Sequence, residues 1–175
     1  MVPEGRAPTI GATRMVNLDD PKEFFRVIVD PNLQEFYASE GDLRLGVNSL
    51  LTLDALVGVL HQENCRKSGA GPKGKVRGQD EEFRETLAGR SDAYRIVRDT
   101  AAAVKHGILT RRTLQPRLVR QVRDLADFGV GAGPMRAGED WPGKPVLYVV
   151  LREESWAKRL SDVLRSAARY VSELL

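Results

Sequence analysis

Apolar residues recur at helical spacing over most of this chain, and gather only once into a compact run of the β type. The longest helical pattern covers Asp42 to Cys65, with Gly41 before it and a glycine-rich stretch after it. Apolar positions lie nearly all round it, which predicts a central helix packed on several sides, about 36 Å long at 1.5 Å per residue. A second pattern, SDAYRIVRDTAAAVKHGILTRR from Ser91 to Arg112, is amphipathic. One side carries Ala93, Ile96, Val97, Thr100, Ala103 and Val104. A narrow stripe opposite carries Asp92, Arg95, Asp99 and His106, with Ala102 in the gap. Ser91 suits the N-cap and Gly107 the stop. A closing helix capped by Ser155 aligns Trp156, Leu160, Val163, Leu164, Ala167, Val171 and Leu174, an uninterrupted stripe suited to core packing or a dimer seam.

Shorter patterns fill the remainder. Asp19 or Asp20 caps a helix with Pro21 near its first position and Phe24, Phe25 and Ile28 on its apolar side; Pro31 predicts a break before further turns over Asn32 to Ala38. Residues 66–79, RKSGAGPKGKVRGQ, form a loop, followed by a short helix from Asp80 to Ala88 that Gly89 ends. The β-type run is PVLYVVL, Pro145 to Leu151, which needs a partner for its backbone. Leu118 to Leu125 is the candidate, giving a hairpin, although Pro116 to Phe128 also fits a helix. Residues 1–18, rich in proline and glycine, read as a mobile arm. The expected fold is mainly α, a single helical domain over 19–175, bundled around the long central helix with a small β-hairpin before the C-terminal helix.

Composition narrows the function little. At 175 residues, with 42% hydrophobic and 29% charged, the chain suits one domain with a real core rather than disorder. A net charge of +3 does not by itself imply nucleic acid. The single cysteine, Cys65, forbids an internal disulfide and fits a reducing compartment. With only His61 and His106 as histidines, a zinc site would need carboxylates, and no cofactor is expected. No stretch reads as a membrane span, and the N-terminus lacks the apolar centre of a signal peptide, so a cytoplasmic protein is expected.

The residues able to carry chemistry fall in three places. Arg95, Arg98, Asp99 and His106 combine guanidinium, carboxylate and imidazole on one helix, but Asp99 and His106 lie about 10 Å apart along its axis and need partners from elsewhere. Asp54 and His61, on the central helix, are candidates for that pairing. Asp54 in particular needs a cation if it is buried, and Arg95 is one possibility. Lys73, Lys75 and Arg77 in the basic loop, with Arg111 and Arg112, suit a phosphate backbone. That loop is not a nucleotide-binding P-loop, since Gly69, Gly74 and Lys75 are followed by Val76 where a hydroxyl is required.

DTAAAVKH followed by LTRR resembles a signature of uncharacterised bacterial helical proteins, in which an aspartate precedes a Lys-His pair by six and seven residues. The likeness extends back through the long helix and the Phe83-Arg84 pair; an asparagine often occupies the place of Ala102. More distantly, arginine and histidine on one helix of a bundle resemble the HEPN superfamily, whose active members are metal-independent ribonucleases. That motif has four to six residues between Arg and His, against seven here from Arg98 and ten from Arg95. The resemblance implies RNA binding or cleavage, with His106 as acid or base, Arg95 or Arg98 stabilising phosphorane charge, and Asp99 orienting an imidazole across a homodimer built on the C-terminal helix. The alternative is a non-catalytic protein-interaction or scaffold module.

Overall fold

Asp20 opens the first helix by accepting a hydrogen bond from the Lys22 backbone N–H at 2.9 Å, with Pro21 at the first helical position. In the computed structural model, which describes residues 16–69, 76–109, 117–119, 125–128, 146–151 and 157–175, the helix continues where the sequence predicts a break. Helix α1 (Pro21–Phe24) passes into a π-helical segment (Phe25–Val29) and then α2 (Asp30–Ala38). Pro31 has no N–H, and its ring would strike the carbonyl four residues back in a regular helix. Widening the preceding turn absorbs that conflict: the Asp30 N–H reaches back five residues to the Phe25 carbonyl. Asn32 adds a side-chain bond to the Ile28 carbonyl at 2.8 Å.

Asp42 caps α3 (Leu43–Lys67), its carboxylate accepting from Leu45 N. By length and composition α3 could cross a bilayer, which the sequence pattern did not suggest. Here Leu50, Leu53, Leu56 and Val57 are fully buried, and α3 packs against α1, α2, α4, α5 and α6 as the expected central helix. Helix α4 (Val76–Arg90) begins before Asp80 and runs through Gly89. The predicted loop over 66–79 is thus shorter: Arg66 and Lys67 close α3, and 76–79 open α4. Helix α5 (Asp92–His106) starts where expected, with Ser91 Oγ accepting from Tyr94 N at 3.2 Å, and stops at Gly107, whose φ of 76° favours glycine.

The hairpin before the C-terminal helix is present and antiparallel, but its partner strand is displaced along the sequence. Strand β1 (Leu125–Phe128) pairs with β2 (Val146–Val150), setting Leu125 opposite Val149 and Phe128 opposite Val146. Leu118 and Val119, expected in a strand, lie in irregular backbone, and the reading of Pro116 to Phe128 as a helix fails at β1. A third strand, β3 (Ala157–Arg159), extends the order to β1-β2-β3. Because β3 holds those residues extended, α6 (Leu160–Ser172) starts later than Ser155, which lies outside the described residues with Trp156. Glu40 joins sheet to bundle. Its carbonyl takes the Leu147 N–H at 3.1 Å, one residue past the end of β3 pairing, and its carboxylate accepts from Arg159 Nε at 2.9 Å and Ser161 Oγ at 3.0 Å.

The α6 stripe is core. Leu160, Val163, Leu164, Ala167 and Val171 are buried within the single chain, packed against α5 and α3, while Leu174 is 39% exposed. The point of closest approach is Gly46, where an added Cβ would lie 2.7 Å from Leu147 Cδ1 and 3.0 Å from Leu160 Cδ2. Both leucines are fully buried and have little room to yield. We expect Gly46→Ala to destabilise the fold by about 1–2 kcal/mol in urea unfolding, despite the gain of about 1 kcal/mol in helix propensity. Unchanged or increased stability would show that the junction of α3, the sheet and α6 is loosely packed.

Candidate functional site

The first ionic cluster forms because α3 places one carboxylate, Asp54, on a face otherwise filled by Leu50 and Val57. Asp54 is 5% exposed and its partner is not Arg95. Arg84, from α4, donates through Nη1 to Asp54 Oδ1 at 2.5 Å and to the Asp54 carbonyl at 2.9 Å, and through Nε to both Asp80 oxygens at 3.1 Å. From α5, Lys105 Nζ donates to Asp54 Oδ2 at 2.9 Å. One carboxylate therefore ties three helices together. Gly58, one turn further along α3, admits the Arg84 side chain, whose Nη2 would lie 2.8 Å from a Cβ there. Burial opposes the Arg84 charge, but Asp54, Tyr94 and Asp80 outweigh it and hold its pKa above the ordinary arginine value.

Tyr94 of α5 is completely buried beside this cluster, close to the Arg84 guanidinium, and its hydroxyl proton has no acceptor among the described residues. Burial first, and the negative charge of Asp54 second, push its pKa well above that of a free phenol. His61 lies further along α3, buried, with its ring 5.2 Å from that of Phe83 and its Nε2 3.6 Å from Cys65 Sγ. Packing explains that position. Among the described residues no group of three His, Cys, Asp or Glu side chains is placed to hold a metal ion.

The second cluster surrounds Asp99, which is 0% exposed. Its Oδ1 accepts from Arg98 Nε at 3.1 Å, Arg98 Nη2 at 2.8 Å and Arg117 Nη1 at 3.1 Å, while Oδ2 accepts from the Leu118 backbone N–H at 2.8 Å. Arg98 also pairs across to Glu85 of α4 at 3.0 Å. Burial lowers the Arg98 pKa, yet Asp99 and Glu85 more than offset it, leaving it above the usual value. The carboxylate thus fastens residues 117–118 onto α5, and its partners among the described residues are two arginines and a backbone amide, with no imidazole among them.

The predicted polar stripe of α5 divides between these surroundings. Asp92 is exposed, Arg95 is 15% exposed in its side chain and pairs weakly with Asp92 at 3.5 Å, Asp99 is buried, and His106 is exposed at the last turn beside Lys105. The structure therefore assembles no Asp–His or Arg–His pair from this stripe among the described residues. Lys73, Lys75, Arg111 and Arg112 lie outside the described residues, as does the side chain of Arg77. Sequence reasoning missed Arg84, Glu85, Lys105 and Arg117 as partners. Two signals pointed to Arg84: the Asp80–Arg84 spacing of four and a small residue, Gly58, one turn from Asp54. Nothing local announced Arg117.

No family model, curated protein or solved structure matches this chain.

Two outcomes test the clusters. Tyr94→Phe removes a buried hydroxyl without an acceptor and should leave stability unchanged or raise it by roughly 1 kcal/mol in thermal unfolding. Because the folded-state pKa is raised, wild-type stability falls as pH rises above ~10, where the phenol ionises in the unfolded chain but not in the folded one, so the variant should also resist alkaline unfolding better. A loss above about 1 kcal/mol would reveal a hydrogen bond to that hydroxyl. Asp99→Asn leaves Arg98 and Arg117 undercompensated and should cost about 3 kcal/mol in denaturant unfolding. A cost within about 0.5 kcal/mol of zero, as for a neutral surface change, would contradict a structural role.

Proposed function

We propose that this chain is a non-catalytic, RNA-directed helical bundle of the cytoplasm, binding the phosphate backbone through cations at the C-terminal end of α5 and in the basic segments flanking the helices. The observation that carries this reading is a division of labour along α5. The acid and guanidinium that a ribonuclease mechanism would recruit, Asp99 and Arg98, are occupied by internal partners, whereas at the helix end His106 is exposed and Lys105, although paired with Asp54, keeps 46% of its side chain in solvent. Lys73, Lys75 and Arg77 lie in a sequence stretch without an acid, and Arg111 and Arg112 follow His106 closely. Neutralising phosphates releases counterions, so such a surface binds with a strong dependence on salt and little dependence on base sequence.

The HEPN-like resemblance supports the RNA-directed part of this reading and not its catalytic extension, which requires His106 to meet an acid or arginine from a second copy. A protein scaffold working through the α6 stripe has less support, because that stripe is buried in the chain itself. Fluorescence anisotropy with a labelled single-stranded RNA of about twenty nucleotides tests the proposal. Binding is expected at low ionic strength and is weakened by the triple change Lys73→Ala, Lys75→Ala and Arg77→Ala. The log–log salt slope should fall by roughly 0.7 for each phosphate that the variant no longer neutralises. No binding at low salt would overturn the RNA reading. Metal-independent cleavage abolished by His106→Ala would replace binding with catalysis.

A further inference from the structure

Asp54, Glu85, Arg98 and Asp99 each meet an opposite charge inside the bundle, but the buried imidazole of His61 belongs to neither cluster. The Phe83 ring of α4 packs against it at 5.2 Å. The polar group that His61 meets among the described residues is the Cys65 thiol, one turn further along α3, with Sγ 3.6 Å from Nε2 and 3.9 Å from Nδ1. A single sulfur therefore faces both ring nitrogens. A neutral imidazole carries one donor and one acceptor, and one thiol cannot serve both at once. The ring is only 7% exposed, so it reaches the sulfur while one of its nitrogens lacks a polar partner of its own among the described residues. Cys65, unlike the ring, is partly exposed.

We propose that Cys65 is a modification site for hydrogen peroxide, with His61 as its proton carrier. The sulfur attacks one peroxide oxygen, so that the S–O bond forms as the O–O bond breaks. His61 takes the thiol proton and passes it to the departing hydroxide, acting first as base and then as acid. The products are a sulfenic acid on Cys65 and water; sulfur is oxidised by two electrons and the peroxide is reduced by two. Assistance has to come from the ring. The C-terminal end of a helix gives a thiolate no electrostatic help, and the neighbouring Arg66 and Lys67 are paired with Glu63. Cys65 is the single cysteine of the chain, so its sulfenic acid cannot end in an internal disulfide and is left for a thiol from outside. This inference does not depend on the RNA-directed reading.

The full chain, fully reduced, is exposed to hydrogen peroxide in the presence of dimedone, and the rate of adduct formation on Cys65 is read by mass spectrometry. At pH 7 the native protein is expected to react about tenfold or more faster than the same chain unfolded in urea. A native rate equal to or below the unfolded one would overturn the proposal without recourse to any variant. His61→Gln keeps a polar side chain but cannot carry the proton, and should slow the reaction by about tenfold or more at pH 7. Near pH ~9.5 an ordinary thiol ionises unaided, so the two rates should converge there. Phe83→Leu loosens the packing on the ring but retains the imidazole, and should react as the wild type does. Equal rates for His61→Gln and wild type at pH 7 would contradict the proton transfer. So would a deficit of the same size at both pH values, or an equal loss in Phe83→Leu, since either would reduce His61 to packing.

Discussion

A charge buried between helices must find its counter-charge inside the protein, and most of the polar architecture here follows from that constraint. Asp54 interrupts an otherwise apolar face of α3, and Arg84 must cross from α4 to meet it while Lys105 closes the other side from α5. Asp99 repeats the device with Arg98, Arg117 and the Leu118 amide. Removing one member of such a group costs far more than its net contribution to stability, because the remaining charges stay buried. The two clusters therefore specify which helices adjoin and where the chain returns after α5. Hydrophobic burial by α3 and α6 supplies the drive; the ion pairs supply the register.

That arrangement changes how the chemistry of α5 is understood. A carboxylate, two arginines and a histidine on one helix suggest an active site when seen as a set of residue types. Distributed over the fold, the carboxylate and Arg98 look inward to Glu85 and Arg117, Lys105 turns to Asp54, and His106 is left exposed at the last turn.

Much of the fold was legible because its determinants are local. The caps at Asp20 and Ser91, the apolar breadth of α3 and the glycine at 107 each act within a turn of the residue concerned, and each is found where the pattern placed it. Errors arose where a longer-range condition decided the outcome. Pro31 did not break its helix because a π-helical turn relieved the clash, and Ser155 did not cap α6 because 157–159 joined the sheet. The partner of β2 lay further along than Leu118 because Asp99 holds Leu118 to α5 instead. The site was less readable for the same reason. Asp54 announced a need for a cation, but its partner lies 30 residues away on a helix whose start was misplaced, and Arg117 meets Asp99 only through tertiary return of the chain.

The central claim is that the charged residues between α3, α4 and α5 serve the fold by mutual compensation. A double-mutant cycle on Asp54 and Arg84 measures this directly: Asp54→Leu, Arg84→Met and the pair, each followed by urea unfolding. Mutual compensation predicts that each single change costs about 3 kcal/mol or more and that the double variant recovers at least about 2 kcal/mol of their sum. Costs that add within about 0.5 kcal/mol would contradict the claim and return these residues to the pool available for catalysis.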